Sequence, residues 1–357
     1  MSAEHVPTPG FEFEPYIVGP DAQTVHLTQW FEECAQPDRW LLRFGVDELD
    51  DAITVAPPDV VAIAGRPSMG KSQICKWLAR LECDRIVAAE RDDQCVVYVT
   101  LEESARKTSL GVNALPVNVR DVKRGRFDLA EAKRWALKPI ERPLYIVQHP
   151  GLIGRGKDRR MAAPITASLV IDAVSRIQLT TRNHAKPTLV VLDYLQLLRP
   201  DHDRADERTR VAEVIAATEG AKLIAASLGC VVVLAVQAGR ETDQRTPPLP
   251  TMADMAWGSV IEQACDLILG ILRPCRHPAF LPKAETGETP PLMYRGRALP
   301  LTDEMLLLGI VKQRDDVGQG HFLASLDVRT NTLAEYPGAN GIISPTVAAL
   351  RRQAVAS

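Results

Sequence analysis

The stretch Gly65-Arg66-Pro67-Ser68-Met69-Gly70-Lys71-Ser72-Gln73 constrains this chain more than any other. It follows a continuous apolar run, Val60 to Ala64, and precedes apolar residues at helical spacing (Ile74, Trp77, Leu78, Leu81). Gly65, Gly70, Lys71 and Ser72 satisfy the G-x-x-x-x-G-K-[ST] pattern, in the strand-then-helix setting that the pattern needs. Glycines let backbone amides close around a polyphosphate, and the start of the next helix adds about half a positive charge. Residues 65–73 are therefore expected to cradle ATP, with Lys71 on the β- and γ-phosphates and the Ser72 hydroxyl on Mg²⁺.

A chain of 357 residues, 46% of them apolar, has room for one large or two ordinary globular domains. Its 42 basic and 45 acidic residues leave a net charge of −3, so no global field draws it to nucleic acid. Any such contact has to come from a local patch or a ring lumen. The seven cysteines are odd in number and none forms C-x-x-C, which reads as reduced thiols. No signal peptide is evident at Met1-Ser-Ala-Glu-His, and the longest apolar runs, near 189–198 and 230–236, are far short of a membrane span. A soluble, cytoplasmic protein without membrane contact is the expectation.

Residues 1–23 are rich in proline and glycine and predict an extended arm. Val25, Leu27, Trp30, Phe31 and Cys34 then have the spacing of a short amphipathic helix, which either packs on its own domain or docks on a neighbouring subunit. Beyond it the chain alternates. Strands are expected at 60–64, 95–101, 143–147, 188–193, 230–236, 266–272 and 305–312, and helices at 71–88, 103–112, 128–138, 166–184 and 208–228. That order predicts an α/β fold with a mainly parallel central sheet and helices on both faces. Ligands of such sheets lie beyond the carboxyl ends of the strands. The polar residues closing each strand are therefore the ones to inspect: Glu102 and Glu103, Asp193, Gln237, and Lys312-Gln313-Arg314. Asp193 suits a place behind Mg²⁺, Glu102 the base that orients an attacking water, and Gln237 a sensor of the γ-phosphate.

These segments carry a resemblance. Gly65 to Ser72 resembles the Walker A segment of DnaB-type replicative helicases, which have a RecA-like P-loop core. Thr100-Leu101-Glu102 is similar to the family's S-L-E segment, and Leu192-Asp193-Tyr-Leu-Gln-Leu197 to its I-D-Y-L-Q-L. Gln237-Ala-Gly-Arg240 with Asp243-Gln244-Arg245 resembles S-Q-L-N-R…E-Q-R. Gly258-Ser259-Val-Ile-Glu262-Gln-Ala-Cys-Asp266 resembles S-G-x-I-E-Q-D-A-D, and Lys312-Gln313-Arg314 matches the closing K-Q-R. The likeness runs in colinear order over about 42–337.

The resemblance implies a six-membered homo-oligomeric ring that hydrolyses ATP between subunits and moves on single-stranded DNA, 5′ to 3′. It makes Glu102 the catalytic glutamate and Arg314 a finger acting on the neighbour's γ-phosphate, with Lys312 beside it. It places DNA contacts on loops 239–247 and 253–260, where the residues are Arg240, Arg245, Trp257, Gly258 and Ser259; either arginine could equally be a surface or interface residue. The departures are specific. About forty residues precede the core, too few for the family's helical N-terminal domain. The family's D-L-R-E-S-G loop is Asp254-Met-Ala-Trp-Gly-Ser259 here, and Trp257 would either stack on a base or pack in a subunit interface. The basic run 154–160 is either a solvated face or a nucleic-acid contact. The segment 273–303, with six prolines, is expected to be irregular and to project as a lid or protein-partner contact. Ser72 stands for the family's threonine, and either hydroxyl serves Mg²⁺.

The expected organisation is an arm with a docking helix over 1–41, the ATPase core over 42–340, and a tail over 341–357. A DNA helicase is the leading expectation. The alternative is a DnaB-like ATPase that uses nucleotide as an assembly switch or partner-recruiting ring without unwinding.

Overall fold

The computed structural model describes residues 40–100, 103–113, 119–137, 141–149, 152–153, 160–161, 165–181, 183–193, 198–199, 210–255, 258–282, 289–314 and 320–337, with a few positions between 23 and 35. The chain divides into two units, 1–41 and 42–357. In the first, positions 23, 27, 28, 31, 32 and 34 are helical, and Leu27 and Phe31 are exposed.

The second unit opens with α1 (Asp47–Ala52), β1 (Val60–Gly65), α2 (Lys71–Ala88), β2 (Gln94–Thr100), α3 (Ala105–Val112), α4 (Val119–Lys123) and α5 (Leu129–Trp135). It continues with β3 (Leu144–Gln148), the short pair β4 (Leu152–Ile153) and β5 (Arg160–Met161), α6 (Ala167–Thr180), β6 (Lys186–Asp193), α7 (Arg210–Leu228) and β7 (Val231–Gln237). The last part comprises α8 (Gly258–Ala264), β8 (Leu267–Leu272), β9 (Leu292–Tyr294), β10 (Arg297–Leu299), β11 (Met305–Gln313), β12 (His321–Asp327) and β13 (Thr332–Glu335). Side-chain acceptors start several helices: Ser104 holds the Lys107 amide, Asp128 the Glu131 amide and Thr166 the Leu169 amide.

One nine-stranded sheet, in the order β13-β12-β11-β8-β1-β7-β6-β2-β3, organises this unit. Its central strands are apolar at every position because both faces are covered, and a doubly covered parallel sheet leaves no polar alternation. Val60, Ala62 and Ala64 pack toward α6, α7 and α8 through Val170, Val174, Ala217, Ala221, Ile224 and Ile261. The other face carries α2, which buries Ile74, Cys75, Leu78, Cys83 and Ile86. At the entry, Asp50 accepts the backbone amides of Phe44 (2.6 Å) and Gly45 (2.9 Å). Burial pushes its carboxyl up despite those bonds. Gly45 is left-handed (φ 77°), and a Cβ there would meet Trp77 at 3.1 Å.

Two expectations are corrected. From β8 through β1, β7, β6 and β2 to β3 all pairings are parallel, but β11 runs antiparallel to β8. Gln313 therefore lies beside Leu267, and Leu267 beside Val61 at the beginning of β1. The closing residues of β11 sit at the edge where the parallel strands start, not with Glu103, Asp193 and Gln237. The second correction is the proline-rich segment 273–303, which is regular over most of its described length. It forms two short 3-10 turns and the β9–β10 hairpin, whose turn residues Arg295 (φ 48°) and Gly296 (φ 78°) are both left-handed. The hairpin is seated on the core: Leu292 and Tyr294 are buried, and Arg295 pairs with Glu48 at 3.0 Å.

Candidate nucleotide site

The turn from β1 into α2 is shaped by two left-handed residues, Ser68 (φ 66°) and Gly70 (φ 105°). Such alternation of backbone hand aims consecutive amides to one side and makes a concavity for anions. A side chain at Gly70 would meet Leu326 at 2.8 Å, so both its conformation and its surroundings require glycine. Met69 is buried, and its sulfur accepts the Arg273 amide. Lys71 Nζ donates to the carbonyls of Gly65 (2.8 Å) and Arg66 (3.0 Å), which holds the ammonium over the loop. Pro67 and Ser68 are exposed at the crest, and Gln73 lies in the first turn of α2.

Across the loop, Ser72 Oγ donates to Asp193 Oδ1 at 3.0 Å, linking residues 121 positions apart. Tyr98 Oη donates to the other oxygen, Oδ2, at 2.7 Å. A hydroxyl and a carboxylate oxygen side by side at a helix start are the hard donors that suit Mg²⁺, which takes few protein ligands and fills its shell with water and phosphate oxygens. Among the described residues no group of three or more His, Cys, Asp or Glu could hold a metal, in keeping with such a sparse shell.

Gln237 is the register partner of Gly65 and is exposed at the same edge. Just past it, Asp243 Oδ1 is met by Arg66 Nε at 3.2 Å and by His277 Nε2 at 3.1 Å. His277 is buried, and its Nδ1 accepts the Ala279 amide, so Nε2 carries the proton donated to Asp243. The phosphate loop, the turn after β7 and the segment after β8 thus meet at one carboxylate.

Glu102 lies outside the described residues. Its neighbour Glu103 is turned into the protein, where Lys76 Nζ donates to it at 2.6 Å and Lys107 binds its second oxygen. Burial pushes the Glu103 carboxyl up, but the two ammonium groups outweigh it and hold the group below its ordinary value.

The far edge holds Lys312 and Arg314. Lys312 donates to the carbonyls of Glu262 and Cys265 (2.8 Å to the latter), and Arg314 to that of Gln263 (3.0 Å). Both cations cap the C-terminal end of α8, where the helix dipole favours positive charge. Arg314 also pairs with Asp266 at 2.6 Å, whose other oxygen accepts the first amide of β1. Burial, then the charge of Arg314, pulls the Lys312 ammonium down. Gly65 is four residues along β1 from the row containing Gln313, roughly 13 Å at about 3.3 Å per residue. Arg314 is directed away from the phosphate loop of its own subunit.

Of the loop residues expected near nucleic acid, Arg240 is exposed. Arg245 is bound to Asp254 at 2.7 Å, which joins the turn after β7 to the turn before α8. Gly258 and Ser259 begin α8, whereas Trp257 and most of the basic run 154–160 lie outside the described residues. Among the described residues none of the seven cysteines is in a disulfide, and burial pushes the thiols of Cys95, Cys230 and Cys265 up to about 12.

Three residues of this region escape a sequence reading. Tyr98 is hidden in an apolar strand, where its only signal is a hydroxyl among valines. Asp243 is one polar residue in a polar turn. Arg273, which is buried behind the loop with its Nε unpartnered, follows β8 as any solvated arginine would.

A family profile described as the DnaB-like helicase C terminal domain matches residues 42–314. The replicative DNA helicase DnaB of Rickettsia conorii is 26% identical over 220 residues, which is 60% of this chain and 41% of that protein. That of Leifsonia xyli subsp. xyli is 24% identical over 303 residues, 81% of this chain and 59% of that protein. The chain thus spans about two to three fifths of these relatives. Among solved structures, an ATPase domain determined on its own aligns with a TM-score of 0.63 at 19% identity, covering 88% of this chain and 98% of that one. A DnaB-like replicative helicase, from a study of its interactions with primase, aligns with a TM-score of 0.66 at 18% identity, covering 89% and 68%. Both likenesses show the same fold.

Proposed function

The chain belongs to the DnaB-like helicase C-terminal domain family, and from that membership we propose that it is an ATP-hydrolysing, ring-forming motor that moves on single-stranded DNA. The observation that carries the proposal is the contact of Ser72 with Asp193 at the head of α2, beside Lys71 and opposite Gln237. The amides of residues 66–71 bind the phosphates, and Lys71 leaves its two carbonyls to pair with the β- and γ-oxygens. Ser72 and Asp193 hold Mg²⁺, which supplies charge neutralisation on the transferred phosphoryl group. Glu102 orients the attacking water; the engagement of Glu103 by two lysines supports giving that role to its neighbour. Gln237 monitors the γ-phosphate from the next strand.

Arg314 completes the site of the adjacent subunit. Its place at the opposite edge of the sheet supports action in trans. The exposed Arg240 and the turns 239–247 and 253–260 face the DNA, and the helix near 25–35 docks on a neighbouring subunit. The decisive experiment is steady-state ATP hydrolysis with and without single-stranded DNA, with Lys71→Ala as the blank. Turnover stimulated by DNA and absent from the variant is the expected result. Hydrolysis by Lys71→Ala would remove the assignment of the phosphate loop.

A further inference from the structure

The Tyr98 hydroxyl has a task that its strand does not explain. Tyr98 is fully buried in β2, between Val97 and Val99, on the face covered by α2. A phenylalanine would fill that space equally well, and a buried hydroxyl is costly unless it is partnered. Its partner is specific. In the parallel register of β2 and β6, Tyr98 stands beside Val191 and Thr100 beside Asp193, so the long phenol reaches forward to the carboxylate that closes the neighbouring strand. It donates to Oδ2 at 2.7 Å while Ser72 donates to Oδ1 at 3.0 Å. A carboxylate held at each oxygen by a different hydroxyl cannot rotate about its Cβ–Cγ bond without losing one of them. Burial and the adjacent Asp193 charge both keep the phenol protonated, and so a donor.

We propose that Tyr98 is a positioning residue for the metal-side acid: its hydroxyl locks the plane of the Asp193 carboxylate so that Oδ1 stays turned to Ser72. The inference rests on the nucleotide-site reading given above. Groups that orient a metal's carboxylate typically change metal affinity by 10- to 100-fold when removed, and a single neutral hydroxyl belongs at or below the lower end of that range.

The test is Tyr98→Phe, which removes one oxygen. Mg²⁺ is titrated into the full-length protein with a fluorescent ADP analogue, and nucleotide affinity is also measured in EDTA. Melting without metal is followed in parallel. The expected result is a rise of about three- to tenfold in the Mg²⁺ concentration at half-saturation, with affinity in EDTA unchanged. Asp193→Asn serves as the reference and should shift the midpoint at least as far. An unmoved midpoint in Tyr98→Phe beside a shifted one in Asp193→Asn overturns the role of Tyr98 and leaves the site intact. Equal losses with and without metal overturn it too, since they mark a merely structural hydroxyl. A midpoint unmoved in both variants overturns the nucleotide-site reading itself.

Discussion

Arg66 of the phosphate loop and Asp243 of the turn after β7 share an ion pair of 3.2 Å, and the same Asp243 oxygen accepts the buried His277. The two contacts differ in worth. Arg66 is partly exposed, so its pair with Asp243 contributes on the order of 0–1 kcal/mol. His277 is 2% exposed, and a buried donor left alone costs about 1–3 kcal/mol. Asp243→Ala should therefore destabilise the fold by about 1–3 kcal/mol, more than Arg66→Ala. Asp243→Asn, which keeps an acceptor, should cost less than about 1 kcal/mol. Urea denaturation of the three variants checks the order; equal losses would mean that His277 does not depend on Asp243.

Glu102→Gln should bind ATP and turn it over at least about 100-fold more slowly, as loss of a base does. Glu103→Gln should keep turnover and lose stability, because Lys76 is then left nearly buried beside a neutral amide. Single-turnover hydrolysis and melting separate the two. A dead Glu103→Gln with an active Glu102→Gln would exchange the roles.

The Glu103 pair also has a pH signature. The folded-state carboxyl is held below the ordinary 4.5, so its contribution is complete above that value and fades as pH falls through the lower folded value. Stability of the wild type should consequently decline more steeply on acidification below about pH 4.5 than that of Glu103→Gln. Chemical denaturation across that window measures the difference, and parallel profiles would count against the two lysine contacts.

Arg314→Ala should lose about 10³-fold or more in turnover, the scale of a cation that stabilises phosphoryl transfer. Mixed with Lys71→Ala subunits, it should recover part of that loss, since each kind supplies what the other lacks. Arg314 also pairs with Asp266, so melting is followed beside the rates. A folded Arg314→Ala that gains nothing on mixing would exclude action in trans.

Arg240 and Arg245 should behave differently. Arg240 is exposed, and Arg240→Ala should weaken DNA binding and lower its salt slope by about one without affecting melting. Arg245 neutralises Asp254, a carboxylate with no exposed side-chain surface. Arg245→Ala should cost about 1–3 kcal/mol of stability whether or not DNA is present. Melting curves and salt-dependent DNA titrations distinguish the pair.

The central sheet was legible because doubly buried strands read as unbroken apolar runs. Val60–Gly65, Lys186–Asp193 and Val231–Gln237 fall within two residues of the strands expected from the sequence. The phosphate loop and the Asp193 and Gln237 strand ends were legible for the same reason, since each polar residue marks where such a run stops. The direction of β11 was not. Apolar content says nothing of direction, although a parallel strand needs a crossover, and no helical spacing intervenes between Leu272 and Met305. The hairpin at Arg295-Gly296 was masked by its prolines, although an x-Gly turn between short apolar pairs is a recognisable signal. Tyr98 and Asp243 could not be picked out, because their contacts join segments that are distant in the chain.

The reversal of β11 makes each subunit a directional piece, with a phosphate loop at one edge of its sheet and an arginine at the other. If a complete site takes one from each of two neighbours, the repeat has to be head to tail, and a two-fold pairing of like faces leaves sites unfinished. An open row of n subunits then holds n − 1 finished sites, while a closed ring holds n. Turnover per subunit becomes a count of closure. It rises with protein concentration as rows lengthen, levels off when they close, and falls when a subunit is withdrawn to admit a strand of DNA.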